Sequence, residues 1–212
     1  MIVDLHAHAF PRFGQSLDPE SVELQMQQLQ HHILFHPQGF RRKKDAGYAT
    51  EQLLFDGVHD GISGLSNIDL RPGRWGRLEW SHDGEDYYIQ WMPPMMSWIE
   101  APPEMLIAFM DYVGVDKAVL QSDHVYGDLN VCLAECVRKY PRRLIGLAQV
   151  KEWETHQRRE QDRLRQAIEE LGMKGLYYFV EGFNMTDFKD NFADEKYSGF
   201  WKQFLFACWF CR

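Results

Sequence analysis

Polar and apolar residues alternate at the start of the chain, where Asp4, His6 and His8 occupy every second position and apolar residues fill the positions between them. Alternation of this kind is the period of a β-strand, whose successive side chains point to opposite faces. The pattern therefore predicts a strand that carries one carboxyl group and two imidazoles on the same face.

A less regular region follows this first strand. A polar, glutamine-rich helix with a solvated face is predicted over residues 18–36. Residues 37–73 show little periodicity, which predicts loops and short helices, with one helical turn at residues 50–55.

A hairpin pattern comes next in the chain. Residues 77–82 and 85–91 flank Asp83-Gly84, a dipeptide that is typical of a type I′ turn between antiparallel strands. The aromatic residues of this hairpin are consistent either with a lid over a pocket or with an ordinary packing surface.

Regular alternation of helices and strands is predicted from residue 102 onward. The apolar strands are nearly continuous, which is typical of parallel β/α units covered on both faces. With the first strand they make about half the eight strands of a closed (β/α)8 barrel. The predicted helices are residues 103–113, 128–140, 155–171 and 198–209, and the predicted strands are residues 116–121, 144–150 and 175–180.

The two imidazoles of the first strand are the candidate functional groups. Residues two positions apart on a strand have Cα atoms about 7 Å apart, and neutral imidazole is the most common protein ligand for metals. The alternative is that His6 and His8 are polar residues on a half-solvated edge strand. Metal binding is the preferred interpretation because the opposite face of the strand is apolar throughout.

The composition narrows the class of protein. Of 212 residues, 45% are hydrophobic and 25% are charged, which predicts a folded domain rather than a disordered chain. A net charge of −8 argues against nucleic acid or an anionic membrane as the main partner. No apolar run approaches the roughly 20 residues of a membrane span. Because the chain starts directly on a strand, we expect no signal peptide and a cytoplasmic protein.

The four cysteines do not predict a disulfide framework. Cys132 and Cys136 stand four positions apart on a predicted helix and share one face, where packing is their expected role. Cys208 and Cys211 have C-x-x-C spacing but no second pair to complete a zinc site, so we interpret their spacing as incidental.

Four segments of the sequence resemble the amidohydrolase-related family, in the metal-dependent branch that includes the aminocarboxymuconate-semialdehyde and resorcylate decarboxylases. The first segment is VDLHAH at residues 3–8, with Phe10-Pro11 just after it. The others are GVDKAVLQ at residues 114–121, KYPRRLIGLAQV at residues 139–150 and ELGMKGL at residues 170–176. Their occurrence together and in this order is more specific than the D-x-H-x-H spacing alone.

This resemblance implies a distorted TIM barrel that holds one divalent metal, usually zinc with manganese as the alternative, at the carboxyl ends of the strands. His6 and His8 correspond to the first two metal ligands. The implied reaction is either decarboxylation of a small aromatic or unsaturated carboxylic acid, or hydrolysis of an ester, amide or lactone. In both, the ion polarises the substrate or lowers the pKa of bound water. The implied partner is thus a small-molecule substrate.

The second half of the family pattern is not found in this sequence. Members complete the metal site with a histidine on the fifth strand and an aspartate after the eighth, whereas no histidine follows His156 here. We therefore expect one α/β domain over residues 1–212, an incomplete barrel with an insertion at 10–101 and β/α units at 102–206. The alternative to an enzyme is a catalytically inactive fragment that acts at most as a binding or interaction module.

Three further residues are candidates for roles near the metal. His124 follows the second barrel strand and Glu181 follows the fourth, at the end of the strands where barrel sites lie. His124 would contact the substrate and Glu181 would serve as a substitute ligand, or both would be ordinary loop residues, while Asp4 is expected to have a structural hydrogen-bonding role. An incomplete barrel would also leave two open sheet edges, which favours a homo-oligomer.

Overall fold

The computed structural model describes residues 1–15, 19–35, 39–50 and 54–210. Within these ranges the backbone forms a mixed α/β structure. Its helices are α1 (Pro19–Ile33), α2 (Pro103–Val113), α3 (Asn130–Lys139), α4 (Arg158–Glu169) and α5 (Ser198–Phe210). Its strands are β1 (Val3–Ala7), β2 (Phe40–Arg42), β3 (Tyr48–Ala49), β4 (Arg71–Pro72), β5 (Arg77–His82), β6 (Glu85–Gln90), β7 (Lys117–Leu120) and β8 (Leu144–Gly146).

The chain divides into two compact units. The first unit contains residues 1–9, 103–123 and 128–212, and the second contains residues 10–102 and 124–127. The second unit thus begins and ends close to the predicted insertion at residues 10–101, with one short segment added. Assignment of both units to a single amidohydrolase-related domain remains a prediction.

The first unit is built on a parallel sheet with the strand order β1-β7-β8. Val3 lies opposite Lys117 in β7, and Ala118 lies opposite Leu144 in β8. Leu120 and Leu144 are buried, as the apolar pattern of these strands requires. The predicted parallel β/α arrangement is therefore confirmed for three strands, although Leu5 of β1 is 67% exposed and its apolar face is not covered at that point.

The predicted strand at residues 175–180 forms only a single parallel bridge, between Leu176 and Ala148. The amide of Tyr177 still donates to the carbonyl of Ala148, at 2.9 Å. The amide two residues further along, that of Phe179, donates instead to the Glu152 side chain. The chain then turns into a 3-10 helix at Val180–Thr186. The strand is shorter than predicted because a side chain takes the hydrogen bond that would have extended the ladder.

The helices of the first unit lie close to their predicted positions. Helix α2 has the predicted bounds and is followed by Gly114 at φ +78°, a left-handed conformation that glycine adopts without strain. Helix α4 starts three residues later than predicted, because the hydroxyl of Thr155 donates to the carbonyl of Glu152 and closes a separate 3-10 turn at Glu152–Glu154.

The second unit contains α1 and an antiparallel sheet with the strand order β3-β2-β6-β5-β4. The predicted hairpin is confirmed, with His82 opposite Glu85 across the turn. Asp83 and Gly84 have φ values of +49° and +75°, as a type I′ turn requires at both central positions. Trp80 and Ile89 are completely buried beneath this sheet.

The prediction of loops and short helices at residues 37–73 is wrong in part. Strands β2 and β3 lie there and extend the hairpin sheet, and β4 pairs on its other side. One short 3-10 helix is present at Ile62–Gly64, whereas residues 51–53 of the predicted helical turn lie outside the described residues.

Helix α1 is more buried than its polar composition predicts. Gln25, Gln30 and His31 are each less than 7% exposed, so the expectation of a solvated helix face is wrong for them. Each of them has a hydrogen-bond partner: Gln25 donates to the carbonyl of Val125, Gln30 donates to the carbonyls of Leu54 and Ser66, and Nε2 of His31 lies 3.1 Å from the carbonyl oxygen of Asp60. Asp18 and His36, the predicted ends of this helix, lie outside the described residues. No helix in the described part of the chain is long and apolar enough to cross a membrane.

Candidate metal centre

The imidazoles of His6 and His8 lie side by side at the carboxyl end of β1. Their Nε2 atoms are 2.9 Å apart, and the ring centres are 4.7 Å apart with the rings nearly perpendicular. The register of β1 against β7 shifts between Asp4 and Ala7. Such a bulge re-aims side chains, and here it accompanies the close approach of the two rings.

The carbonyl oxygen of Gln121 fixes the orientation of His8. It lies 3.0 Å from Nδ1 of that ring, so Nδ1 carries the proton and donates it, which leaves the lone pair of Nε2 facing His6. A backbone carbonyl behind a histidine is the arrangement that commonly orients metal-binding imidazoles. This contact was not apparent from the sequence, because a main-chain acceptor has no residue signature.

Burial lowers the pKa of His8 below its usual value of 6.5. The Gln121 carbonyl acts in the opposite direction, the adjacent His6 lowers the pKa further, and Asp4 raises it slightly. The net effect keeps the ring neutral at physiological pH. Neutral imidazole is the form that binds metals.

Two polar groups hold the end of β1 in place. The Asp4 carboxylate accepts a hydrogen bond from the backbone amide of His6 at 2.9 Å, which is the structural role expected for it. The side-chain amide of Gln121 donates to the carbonyl of Leu5 at 2.5 Å. Gln121 therefore supports the histidine pair twice, through its backbone and through its side chain.

The geometry of the pair fits one shared cation. A 2.9 Å separation of Nε2 atoms is what two nitrogen ligands show when bonds of about 2.0–2.1 Å meet at about 90°. Within the described residues, however, no group of three or more His, Cys, Asp or Glu side chains is close enough to hold a metal ion. His6 and His8 thus provide two ligands, and these residues supply no complete protein coordination set.

Tyr177 lies beside the histidines. Its ring meets that of His6 edge to face, with centres 6.4 Å apart. Burial raises the pKa of the Tyr177 hydroxyl, and the negative charges of Asp123, Glu152 and Glu181 raise it further. The tyrosine therefore stays protonated and is a hydrogen-bond donor at neutral pH. The three carboxylates that raise this pKa all follow strands or strand-like segments. Asp123 comes after β7, Glu152 comes after β8, and Glu181 comes after the segment in which Leu176 bridges to Ala148.

Glu152 is a member of this group that the sequence did not indicate. It follows the strand at Leu144–Gly146 and is 1% exposed. Its Oε1 accepts the amide of Phe179 at 2.9 Å, and a Cβ atom at Gly182 would come within 2.7 Å of its Oε2. Its position just after an apolar strand was the available signal, the same one that drew attention to Glu181.

The other two candidates from the sequence lie in different units. Glu181 belongs to the first unit, half-buried in the 3-10 helix Val180–Thr186. His124 belongs to the second unit, where it is 5% exposed at the start of the 3-10 helix His124–Tyr126. Neither forms a three-residue ligand group with His6 and His8 among the described residues. Their proposed roles remain predictions.

The cysteine pair is where the sequence placed it. Cys132 and Cys136 are free thiols on α3, the first half-buried and the second buried. The interaction between the two thiols, and then burial, raises the pKa of Cys136, whereas that interaction lowers the pKa of Cys132. Cys211 and the side chain of Cys208 lie outside the described residues.

Among known proteins, this chain is similar only to proteins with solved structures. No family model and no curated protein matches the chain. The 2,6-dihydroxybenzoate decarboxylase from Rhizobium is 18% identical, with a TM-score of 0.38, over 47% of this chain and 35% of that one. The same values hold for the 2,6-dihydroxybenzoate decarboxylase complexed with 2,6-dihydroxybenzoate.

A second decarboxylase gives a similar result. The 5-carboxyvanillate decarboxylase from Novosphingobium aromaticivorans, with bound manganese and 3-methoxy-4-hydroxy-5-nitrobenzoic acid, is 25% identical, with a TM-score of 0.33, over 47% of this chain and 31% of that one. The matched part of this chain spans about a third of the length of these enzymes.

Proposed function

We propose that this protein is a metal-dependent carboxy-lyase or hydrolase of the amidohydrolase-related family. The observation that supports the proposal is the pair of imidazoles whose Nε2 atoms converge to 2.9 Å at the carboxyl end of a parallel strand. That pair belongs to the D-x-H-x-H segment that resembles the family. Its proposed partner is a small molecule, an aromatic or unsaturated carboxylic acid or a related ester or amide, rather than nucleic acid or a membrane.

The proposed fold is part of a TIM barrel. The order β1-β7-β8 and the bridge from Ala148 to Leu176 give consecutive parallel neighbours, each following a helical connection, as in a barrel wall. The open edge at β1 would favour pairing with another copy, so a homo-oligomer is part of the proposal.

The residues of the site have distinct proposed roles. His6 and His8 would hold a divalent cation, zinc or alternatively manganese, and the Gln121 carbonyl keeps His8 in the binding tautomer. A bound cation of this kind polarises a substrate oxygen or lowers the pKa of a water molecule. Tyr177, protonated because of its burial and its anionic neighbours, would donate a hydrogen bond to the substrate.

Proton transfer requires a further group. Asp123 and Glu181 are carboxylates close enough to Tyr177 to influence its charge, and Glu181 was already a candidate from its position in the sequence. Either carboxylate could deliver or accept a proton at a substrate held beside the histidines, which is the role that a general acid or base has in both reaction classes.

A carboxy-lyase is favoured slightly over a hydrolase. The reason is the sequence of residues 139–150 and the hairpin at β5 and β6, which resemble the decarboxylases most. The substrates to assay first are 2,6-dihydroxybenzoate and 5-carboxyvanillate, because these are named for the enzymes with a similar structure.

The alternative is a catalytically inactive fragment that acts as a binding or interaction module. One observation favours it: the described residues contain no group of three metal-ligating side chains. Such a module would bind a cation or an aromatic acid without turning it over.

An activity assay separates the two functions. The purified chain is supplied with zinc or manganese and tested for carbon dioxide release from both acids and for hydrolysis of their esters. We expect turnover that is lost in His6→Ala and His8→Ala and retained in His82→Ala, because His82 lies at the end of β5 with a half-buried side chain and belongs to the other unit. Absence of turnover with every metal and substrate, while cation binding persists, would establish the binding module instead.

A further inference from the structure

Two arginines of the second unit contact the same tryptophan. The Cζ atom of Arg12 lies 3.9 Å from the ring centre of Trp98, and that of Arg74 lies 4.9 Å from it. Arg74 is also 5.0 Å from the ring of Trp75. The four residues form a cluster of alternating guanidinium and indole groups, which we term the Arg–Trp cluster.

The guanidinium N–H donors of Arg12 and Arg74 have no acceptor in the described residues, unlike those of the other basic side chains in the same unit. Residues 10–102 contain eight lysines and arginines. Within the described residues, the side chains of Arg12 and Arg74 are the two that have neither a hydrogen bond nor an ion pair, and each lies over an aromatic ring. The other six all donate hydrogen bonds, and they are Arg41, Arg42, Lys43, Lys44, Arg71 and Arg77.

The guanidinium groups of the cluster keep their binding edges available. A guanidinium that stacks on an aromatic ring uses its face, so its five N–H donors along the edge stay free for a planar or tetrahedral anion. Trp98 is 36% exposed and Trp75 is 52% exposed, so solvent reaches the cluster. Stacking also limits the rotation of a long side chain, which lowers the entropy cost of binding.

The backbone under the cluster is held firmly. The amide of Trp75 donates to the carbonyl of Ser97 at 2.8 Å, and the amide of Phe13 donates to the carbonyl of Ile99 at 3.1 Å. Trp75 and Ile99 have φ values of +63° and +50°, in the left-handed region that bulky residues rarely adopt. The segments that carry Arg12, Trp98 and Arg74 are therefore tied to one another.

We propose that Arg12 and Arg74 form a binding site for an oxyanion, either a carboxylate or a phosphate group of a small ligand. Both Cζ atoms lie within 5 Å of the Trp98 ring centre, so the two guanidinium groups contact the same indole. Paired guanidinium donors bind such groups through short, charge-assisted hydrogen bonds. In a chain of net charge −8, Arg12 and Arg74 are two cations on one indole without an anionic partner in the described part of the chain, and an anionic ligand would neutralise them.

The proposal is tested by calorimetric titration of the whole chain at low ionic strength, with inorganic phosphate and malonate as probes and sodium chloride as the control for ionic strength. We expect saturable binding of at least one probe. Arg12→Gln and Arg74→Gln should each weaken it about tenfold or more, as expected for loss of a charged hydrogen bond. The matched control is Arg41→Gln: Arg41 also stacks on a ring, at 4.1 Å from Tyr48, but its donors are already occupied.

Each outcome of the titration has a defined meaning. Binding of phosphate alone or of malonate alone supports the site and identifies the group it takes. Failure of both probes to bind, equal competition by chloride, or equal affinity in wild type and both glutamine variants would overturn the proposal. A measurement without variants uses the NMR signals of the Arg12 and Arg74 Nε–H groups and the Trp98 indole. These signals should shift on addition of the probe, and binding that leaves them unmoved would also overturn it.

Discussion

The carbonyl oxygen of Gln121 lies 3.0 Å from Nδ1 of His8, and this contact determines which nitrogen of the ring is left for a ligand. Gln121 follows the second strand of the parallel sheet and His8 follows the first, so the orientation of the imidazole depends on correct pairing of β1 with β7. The histidine pair is therefore a product of the sheet and not only of the local sequence.

Substitution of either histidine should remove metal binding. We expect purified His6→Ala and His8→Ala to retain less than about a tenth of the zinc or manganese bound by the wild type, since each loses one of two converging ligands. His59→Ala is the control, because His59 is exposed and pairs with Asp56. Metal content is measured by elemental analysis after dialysis, and unchanged content in both variants would refute the coordination by this pair.

The stability of the metal-free protein should depend on pH through His8. Its folded pKa is below 6.5, mainly because of burial, so the unfolded chain takes up the proton more readily. The neutral ring therefore contributes stability that is present above about pH 6.5 and is lost as the pH falls through the folded pKa. Urea unfolding between pH 8 and pH 5 should show the wild type losing stability relative to His8→Asn over this range. A difference between the two proteins that is independent of pH would contradict the prediction.

A side chain at Gly84 should destabilise the hairpin turn. A Cβ atom there meets nothing within 4 Å, but φ is +75°, so Gly84→Ala isolates the cost of a left-handed backbone, about 1 kcal/mol. Gly199→Ala is the matched control, because its Cβ also has open space, on helix α5 and without a positive φ, and alanine there should be neutral or stabilising. Thermal melting of both variants provides the measurement. Equal shifts of the two would show that the turn is not held in the type I′ conformation.

The two thiols of α3 should differ in reactivity. Cys136 is buried at 4% exposure and its pKa is raised, whereas Cys132 is half-buried and its pKa is lowered, so Cys132 presents the more accessible thiolate. We expect iodoacetamide at pH 8 to alkylate Cys132 several times faster than Cys136, as followed by peptide mass spectrometry. Faster alkylation of Cys136 in the wild type would contradict this order.

Local chemistry explains which elements the sequence predicts well. The turn at Asp83-Gly84 and the end of α2 at Gly114 both depend on residues that adopt positive φ within a few positions of the element they end. The histidine pair is similar, because alternation along a strand is enough to place His6 and His8 on one face. In each case, the information lies within about ten residues of sequence.

Long-range partners explain what the sequence did not reveal. Strands β2 and β3 have three and two residues, too few to show a period, and exist because β6 pairs with β2. The strand at residues 175–180 ends early because the Glu152 carboxylate, far away in sequence, captures the amide of Phe179. The Gln121 carbonyl behind His8 is more distant still, 113 residues away in sequence. The site was thus predicted as a pair of ligands, but the groups that support it were not.

The first residue of the chain contacts a carboxylate next to strand β1. The Met1 amino group lies 3.7 Å from the Asp116 carboxylate, which also accepts the amide of Ile2 at 2.6 Å, at the start of the strand that carries His6 and leads into His8. A recombinant extension ahead of Met1 would convert this amine into an uncharged amide and add bulk there. A polyhistidine tag in that place would also introduce competing imidazoles, so protein for metal measurements is best purified with the amino terminus unmodified.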